Sequence, residues 1–132
     1  MDDLGSQRHR ARERALEILY EASMKGRSAR EILPTLTLAP DPYTVRLVES
    51  AGTNEARALT LIGDHLVGWT IERLATVDRL VMVLAIAELL LGDAPPTAVV
   101  LNEAVELART FSTEDSPSFV NGVLSACVDE LG

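Results

Sequence analysis

The amino-acid sequence predicts an all-α fold of six or seven helices. Apolar residues recur along most of the chain with the 3.6-residue period of an amphipathic helix. No stretch of any length alternates apolar and polar residues as a half-buried strand does, and no internal repeat is visible. The length of 132 residues suits one domain, residues 1–132, in which we expect residues 1–7 to be disordered.

The boundaries of the first four helices follow from capping residues. Gly26 is expected to end the first helix, and Ser28 with Glu31 forms a capping box at the start of the second. Asp41, followed by a proline, opens the third helix, and the sequence Gly52-Thr53-Asn54 is expected to separate it from the fourth. These helices are predicted over residues 8–25, 28–39, 41–51 and 55–68.

The last three helices are the most apolar part of the chain. After a short turn at residues 71–75, Thr76 caps a fifth helix that is apolar on nearly every side and is therefore expected to be central. Ser116, followed by a proline, opens the last helix. The apolar run Leu80–Leu91 is shorter than the roughly 20 residues of a membrane span, so we expect no contact with a membrane. These helices are predicted over residues 77–91, 97–111 and 116–131.

The sequence contains none of the glycine-rich or nucleophile motifs of common enzyme and cofactor sites. Its two histidines, His9 and His65, are not spaced as a metal-binding pair, and the single cysteine excludes an internal disulfide and a multi-cysteine metal site. We therefore expect no catalysis, no metal and no cofactor. The low cysteine content suits a reducing compartment, and we expect a cytoplasmic protein.

Two reactive residue types lie in apolar surroundings. Glu88 would be an acid–base candidate beside a second carboxylate or a base, but no partner is apparent, so a hydrogen-bonded structural carboxylate is favoured. Cys127 lies on a predicted core stripe next to Leu124. Because a reactive thiolate needs exposure and positive neighbours, Cys127 is expected to be a packing residue.

Basic residues are concentrated at the N-terminus of an acidic protein. Residues 1–30 hold seven of the twelve basic residues against five acidic ones, whereas residues 31–132 hold five against fifteen. The basic cluster Arg8, Arg10, Arg12 and Arg14 is here called the arginine head. Cations near the start of a helix oppose its dipole, so helix stability alone does not explain them. Contact with a nucleic acid and ion pairing with the protein's own glutamates are the two interpretations.

A second candidate surface lies in residues 112–124. Phe119, one of five aromatic residues in the chain, falls at the edge of the apolar stripe of the last helix. An aromatic side chain exposed there could stack on an unpaired base, and packing against a neighbouring helix is equally consistent with its position. Gly122, inside the same helix, is expected to allow another helix to approach closely.

Four motifs occur in a fixed order along the chain. They are Arg10-x-Arg12-Glu13 with Ala15-Leu16-x-x-Leu19-Tyr20, then Trp69-x-x-x-Arg73-Leu74-x-x-Val77-Asp78-Arg79, Asn102-Glu103-Ala104-Val105-Glu106-Leu107-Ala108 and Phe119-Val120-Asn121-Gly122-Val123-Leu124. In this order and spacing, the chain resembles the NusB transcription antitermination factors over almost its whole length. The resemblance implies an all-helical fold of two small bundles packed together, and no catalysis.

The resemblance also implies partners and site residues. Relatives of this kind bind the single-stranded boxA RNA of ribosomal RNA leaders together with the ribosomal protein NusE, in a complex with other Nus factors and RNA polymerase. Carried over to this chain, the residues that would contact RNA are Arg8, Arg10, Arg12, Asp115, Ser116 and Phe119. Those that would face NusE are Tyr20, Glu72 and Asp78.

The chain departs from the family pattern at two positions. His9 stands where many relatives have a basic residue, and Val83 stands where the family often has arginine, so we expect these parts of the RNA and partner surfaces to differ. The resemblance also allows a homodimer that hides the arginine head. One alternative is the RNA-binding domain of a ribosomal RNA cytosine methyltransferase, which would be followed by a catalytic domain. The other is a helical adaptor without RNA contact, whose arginines pair with Glu13, Glu17 and Glu21.

Overall fold

A computed structural model describes residues 3–131, and this part of the chain is built from α-helices. Two short 3-10 helices, Leu33–Thr35 and Ile71–Arg73, also occur, and the described residues contain no strand. The all-α prediction is therefore confirmed. The α-helices are α1 (Leu4–Lys25), α2 (Ala29–Ile32), α3 (Pro42–Asp64), α4 (Thr76–Leu89), α5 (Thr97–Phe111) and α6 (Ser116–Leu131).

The helices form two groups that meet at α4. Helices α1, α2 and α3 pack against one another, as do α4, α5 and α6, and α4 also contacts α1 and α3. Every residue from Leu80 to Glu88 is buried, so α4 is the central helix that the sequence predicted. The arrangement of two packed bundles is confirmed. No helix within residues 3–131 has the combined length and apolarity needed to cross a bilayer.

Helix α1 begins at Leu4, four residues before the predicted start at Arg8. Asp3 is its N-cap, because its carboxylate accepts a hydrogen bond from the backbone N–H of Ser6 at 2.8 Å. Residues 4–7 are therefore helical rather than disordered, and residues 1–2 lie outside the described part of the chain. As a consequence, the arginine head stands on a helix that is already formed.

The third and fourth predicted helices are one continuous helix, α3. Asn54 caps no new helix, because its side-chain amide donates to the carbonyl oxygen of Ser50 at 3.0 Å within α3. Gly52 stays helical, and the side chain of Arg30 crosses it, 3.4 Å from where a Cβ atom would lie. The glycine thus marks a contact between α2 and α3 rather than a helix end.

The first connection follows the predicted capping chemistry more closely. Gly26 ends α1 in the left-handed conformation at a φ of 63°, which glycine adopts without strain. The capping box of Ser28 and Glu31 is formed. The α-helix after it lasts only one turn and continues as a 3-10 helix that contains Pro34, whose nitrogen has no hydrogen to donate.

Candidate nucleic-acid interface

Arg12 is the most deeply buried member of the arginine head. Only 3% of the residue is exposed, and its Nε and Nη2 atoms each donate to one oxygen of Glu88 at 2.8 Å. Burial opposes the charge of Arg12, but the hydrogen bonds and the negative charge of Glu88 outweigh it and raise the pKa of the guanidinium. This geometry corrects the expectation that Arg12 touches RNA: its side chain joins α1 to α4 inside the protein.

Glu88 has the partners that the sequence did not reveal. Besides Arg12, the hydroxyl of Tyr43 on α3 donates to its Oε2 atom. Burial and then this bond to a carboxylate raise the pKa of Tyr43, since both disfavour the phenolate. The prediction of a hydrogen-bonded structural carboxylate is confirmed, and the group ties three helices together.

Arg8 and Arg10 lie on the open side of α1. The guanidinium carbon of Arg8 is 3.6 Å from the centroid of the Tyr43 ring, a cation–π contact, and Arg8 is half-buried. Arg10 is exposed, and both arginines line a groove of about 360 Å³ with Gln7 and Asp41. These two side chains are therefore placed to meet a polyanion.

His9 connects α1 to α5. Its Nδ1 atom is 2.7 Å from Oε2 of Glu103, and its Nε2 atom is 3.6 Å from Oε1 of Glu13. The imidazole of His9 thus lies between two carboxylates and contacts both. In this chain, His9 therefore links α1 to α5. The second departure, Val83, is buried in α4 and so belongs to the core.

The connection between α5 and α6 forms the second candidate surface. Asp115 is exposed and Phe119 is half-buried, and both line a groove of about 450 Å³ with Trp69 and Arg73. Phe119 also packs against the hydrophobic core. Part of its ring therefore contacts the neighbouring helices, and another part lines the groove, where a base could stack on it. Trp69, which is more than half exposed, is an aromatic member of this groove that the sequence analysis did not assign to a surface.

Ser116 and Asp78 belong to one buried hydrogen-bond network. The hydroxyl of Ser116 donates to the oxygen of Ser112 at 2.9 Å, and Ser112 donates to the Oδ1 atom of Asp78 at 2.6 Å. Ser116 is 1% exposed and Asp78 is 8% exposed. Their network links the start of α4 to the start of α6, and both residues also line the groove that contains Asp115 and Phe119. A ligand in that groove would reach only a small part of each side chain, and the contacts expected of them stay predictions.

The remaining residues expected at the partner surface are accessible. Tyr20 is 42% exposed, and Glu72 lies exposed in the second 3-10 helix. Arg79 of α4 donates to the hydroxyl of Ser23 at 3.4 Å, which places the end of α1 next to the start of α4. Met24, one turn beyond Tyr20 on α1, is also exposed and was not identified from the sequence.

Cys127, His65 and Gly122 are three further residues that were named from the sequence. Cys127 is buried, and burial raises the pKa of its thiol to about 11, so its assignment as a packing residue is confirmed. His65 ends α3, with its Nε2 atom 3.6 Å from Glu130. The expected role of Gly122 is wrong, because a Cβ atom there would meet nothing within 4 Å. Among residues 3–131, no group of side chains is arranged to hold a metal ion.

The fold and these surfaces define a class of small all-α proteins that present a cationic helix and a separate groove with aromatic walls. A family model described as the NusB family matches residues 9–129. The chain therefore belongs to the NusB family of transcription antitermination factors.

Individual relatives agree with this assignment. A transcription antitermination protein NusB from Saccharopolyspora erythraea is 46% identical over 123 residues, which cover 89% of this chain and 83% of that protein. A solved structure of NusB from T. maritima matches 93% of this chain and 91% of its own, with a TM-score of 0.83 and 29% identity. A crystal structure of antitermination factors NusB and NusE in complex with dsRNA matches 93% and 96%, with a TM-score of 0.79 and 28% identity.

Proposed function

We propose that this chain is a non-catalytic, cytoplasmic adaptor that binds boxA-type single-stranded RNA jointly with NusE. It acts as one domain within a larger complex of Nus factors and RNA polymerase. The observation that supports RNA and NusE as partners is the match to a structure described as NusB and NusE in complex with dsRNA, whereas the single-stranded boxA form is what the family resemblance implies. The exposure of Arg10, and of part of Arg8, supports the same assignment.

The distribution of charge gives the proposal a physical basis. The whole chain carries a net charge of −8, which repels a polyanion at long range, and the basic residues are concentrated in the first 30 positions. RNA is therefore expected to bind weakly to this chain alone. A basic partner on the acidic body would supply additional positive charge and would be attracted by the field of that body.

Within the RNA surface, the residues have different tasks. Arg8 and Arg10 contact phosphates or base edges from α1, and Arg12 holds α1 in place through Glu88. The half-buried ring of Phe119 offers a face for stacking on an unpaired base. The exposed carboxylate of Asp115 can accept hydrogen bonds from base amino groups, which gives sequence preference rather than affinity.

Within the same loop, Ser116 is a supporting residue. Its hydroxyl accepts from the backbone N–H of Thr113 at 3.2 Å and so fixes the turn that carries Asp115. The partner surface consists of the exposed Tyr20 and Glu72 and of the accessible edge of Asp78, whose carboxylate is held by the hydroxyl of Ser112. Tyrosine at an accessible position is a frequent anchor in protein interfaces because it buries a large ring and keeps a polar tip.

A titration of boxA-like single-stranded RNA in the presence of saturating NusE tests the RNA surface. Arg10→Ala is expected to weaken binding about ten- to a hundredfold, since a hydrogen bond to a charged group contributes about 1.5–3 kcal/mol. A plot of log affinity against log salt concentration should be less steep for this variant than for the wild type, by about 0.7, the value for one phosphate contact on a single strand. The matched control is Arg14→Ala, an equal loss of charge on the same helix at a residue that does not line the groove formed by Arg8 and Arg10.

The alternative without RNA contact is favoured by the ion pairs of Arg12 and Arg14. It predicts that Arg10→Ala and Arg14→Ala have equal, small effects in the same titration. Equal and small effects of the two substitutions would therefore remove the RNA role of the arginine head. A double-stranded RNA of the same sequence, run in parallel, tells whether the surface prefers unpaired bases. Tighter binding of the duplex would contradict the stacking role of Phe119.

A further inference from the structure

Tyr43, at the start of α3, contacts residues of α1, α3 and α4 beside the arginine head. Its hydroxyl donates to Glu88 of α4, and its ring lies under the guanidinium of Arg8 of α1 at 3.6 Å. The guanidinium of Arg46, on α3 itself, is 5.6 Å from the same ring centroid and pairs with Asp93. Tyr43 lies outside the four motifs that carry the family resemblance. Its hydroxyl contacts a buried carboxylate, and its ring lines the groove of Arg8 and Arg10.

The hydroxyl of Tyr43 faces the buried side. It donates to Oε2 of Glu88, the same oxygen that accepts from Nη2 of Arg12 at 2.8 Å. Because Glu88 is fixed by two hydrogen bonds from Arg12, the hydroxyl of Tyr43 has one defined position. The orientation of the ring is therefore set by the core and not by the solvent-facing groove.

The ring of Tyr43 lies at the solvent-facing groove beside Arg8. Arg8 and Tyr43 both line the groove that also contains Arg10, Gln7 and Asp41. An arginine side chain has several rotatable bonds, and a ligand that fixes it must overcome the loss of that freedom. A planar guanidinium that rests on an aromatic ring has already lost part of this rotational freedom, so the entropy cost of fixing it when RNA binds is smaller.

We propose that Tyr43 is a positioning residue for RNA recognition, which holds the guanidinium of Arg8 at the groove in the orientation that RNA requires. The hydrogen bonds among Arg12, Glu88 and Tyr43 fix the position of the ring. The fixed ring in turn restricts the guanidinium of Arg8, which lies over it. The proposal rests on the proposed function, since it takes Arg8 as an RNA contact. It goes beyond that function by assigning a role to a residue that itself is nearly inaccessible to RNA.

The test is a double-mutant cycle on the full chain, read as the Kd for boxA-like single-stranded RNA with saturating NusE. Tyr43→Leu should weaken binding about three- to thirtyfold, the range for one cation–π contact. In the Arg8→Ala background the same change should alter the Kd less than twofold, because there is no guanidinium left to position. Tyr43→Phe keeps the ring under Arg8 but loses the hydroxyl that orients it, so its Kd should lie between those of the wild type and Tyr43→Leu.

A purely structural role for Tyr43 predicts a different pattern. Tyr43→Leu would then weaken binding by the same factor with and without Arg8, and Tyr43→Phe would resemble Tyr43→Leu because both lose the hydroxyl. Either result overturns the proposal. Arg57→Ala is the control for loss of charge, since Arg57 is exposed on α3 about 20 Å further along the helix. It should leave the Kd unchanged.

The variants Arg8→Lys, Arg8→Ala and Arg10→Ala complete the test. If Tyr43→Leu does not fold, Arg8→Lys keeps the charge but loses the planar group, and it should weaken binding nearly as much as Arg8→Ala. Binding of Arg8→Lys at the wild-type level would overturn the positioning role. If Arg8→Ala has no effect while Arg10→Ala weakens binding, this inference fails and the proposed function stands. If neither has an effect, the proposed function fails as well.

Discussion

Replacement of Arg12 by methionine tests whether this arginine belongs to the core or to the RNA surface. The substitution keeps a flexible apolar side chain of similar length and removes the guanidinium that pairs with Glu88. Glu88 is 1% exposed, so its carboxylate would stay buried with only the hydroxyl of Tyr43 as a donor. An unpaired buried charge is among the most destabilising changes that a single substitution makes.

The magnitude follows from the geometry of the pair. Two hydrogen bonds of 2.8 Å to a charged acceptor are lost, and such bonds contribute about 1.5–3 kcal/mol each. Breaking one side of a buried ion pair costs about 3–5 kcal/mol by direct measurement in other proteins, which agrees with that range. Since a domain is stable by only about 5–15 kcal/mol, we expect a loss of about 4 kcal/mol and a fall in Tm of about 10–15 °C.

The assay is urea unfolding followed by circular dichroism at the helical signal. Arg14→Met is the matched control, because Arg14 pairs with Glu17 at the surface and should lose no more than about 1 kcal/mol. The triple variant Arg12→Met, Glu88→Leu, Tyr43→Phe removes all three polar groups of this hydrogen-bonded unit together and should recover most of the loss. A fall of less than about 1 kcal/mol in the free energy of unfolding of Arg12→Met would refute this reasoning. Arg12 would then be better explained as an RNA contact.

Two further predictions concern stability. The thiol of Cys127 has its pKa raised by burial from 9.0 to about 11, so above pH 9 the unfolded chain releases this proton before the folded protein does. The free energy of unfolding should therefore fall between pH 9 and pH 11 by up to about 3 kcal/mol; Cys127→Ala, measured by urea unfolding across this range, should remove that part of the loss. Gly122→Ala should stabilise the protein by up to about 1 kcal/mol, because the added methyl group meets nothing within 4 Å and alanine favours the helix. Gly26→Ala should destabilise it by about 1–2 kcal/mol, because Gly26 has a φ of 63°. Thermal unfolding of the two glycine variants side by side checks the opposite signs, and equal shifts would contradict them.

The parts of the fold that depend on local sequence were predictable. Helical periodicity identified α1, α4, α5 and α6, because each buries one face or, for α4, nearly all faces of a regular helix. The burial of Cys127 and the marginal position of Phe119 followed from the same periodicity. The break expected at Gly52 was wrong, since whether a glycine ends a helix depends on what packs on it, and here Arg30 does.

The roles of the charged residues were less predictable because they depend on contacts between distant parts of the chain. Arg12 and Glu88 are separated by 76 positions, and Tyr43 and Glu88 by 45. Helical spacing does separate Arg12 from Arg10, because Arg12 precedes the buried Ala15, Leu16 and Leu19 by three, four and seven residues, whereas charged residues stand at those distances from Arg10. The spacing indicates that Arg12 is buried but not which residue it pairs with. An apolar helix that carries one glutamate does indicate that some cation must reach it, and this signal was available in the sequence. The assignments to RNA and to NusE stay predictions.

The binding of a boxA-like single-stranded RNA, measured with and without NusE at two salt concentrations, tests the central claim most directly. The claim is that a basic head on an acidic protein binds RNA jointly with a partner that supplies further positive charge. It predicts weak binding by the chain alone, binding at least tenfold tighter with NusE, and a decline in both as salt rises. Equal affinity with and without NusE, or an affinity that does not change with salt, would contradict it.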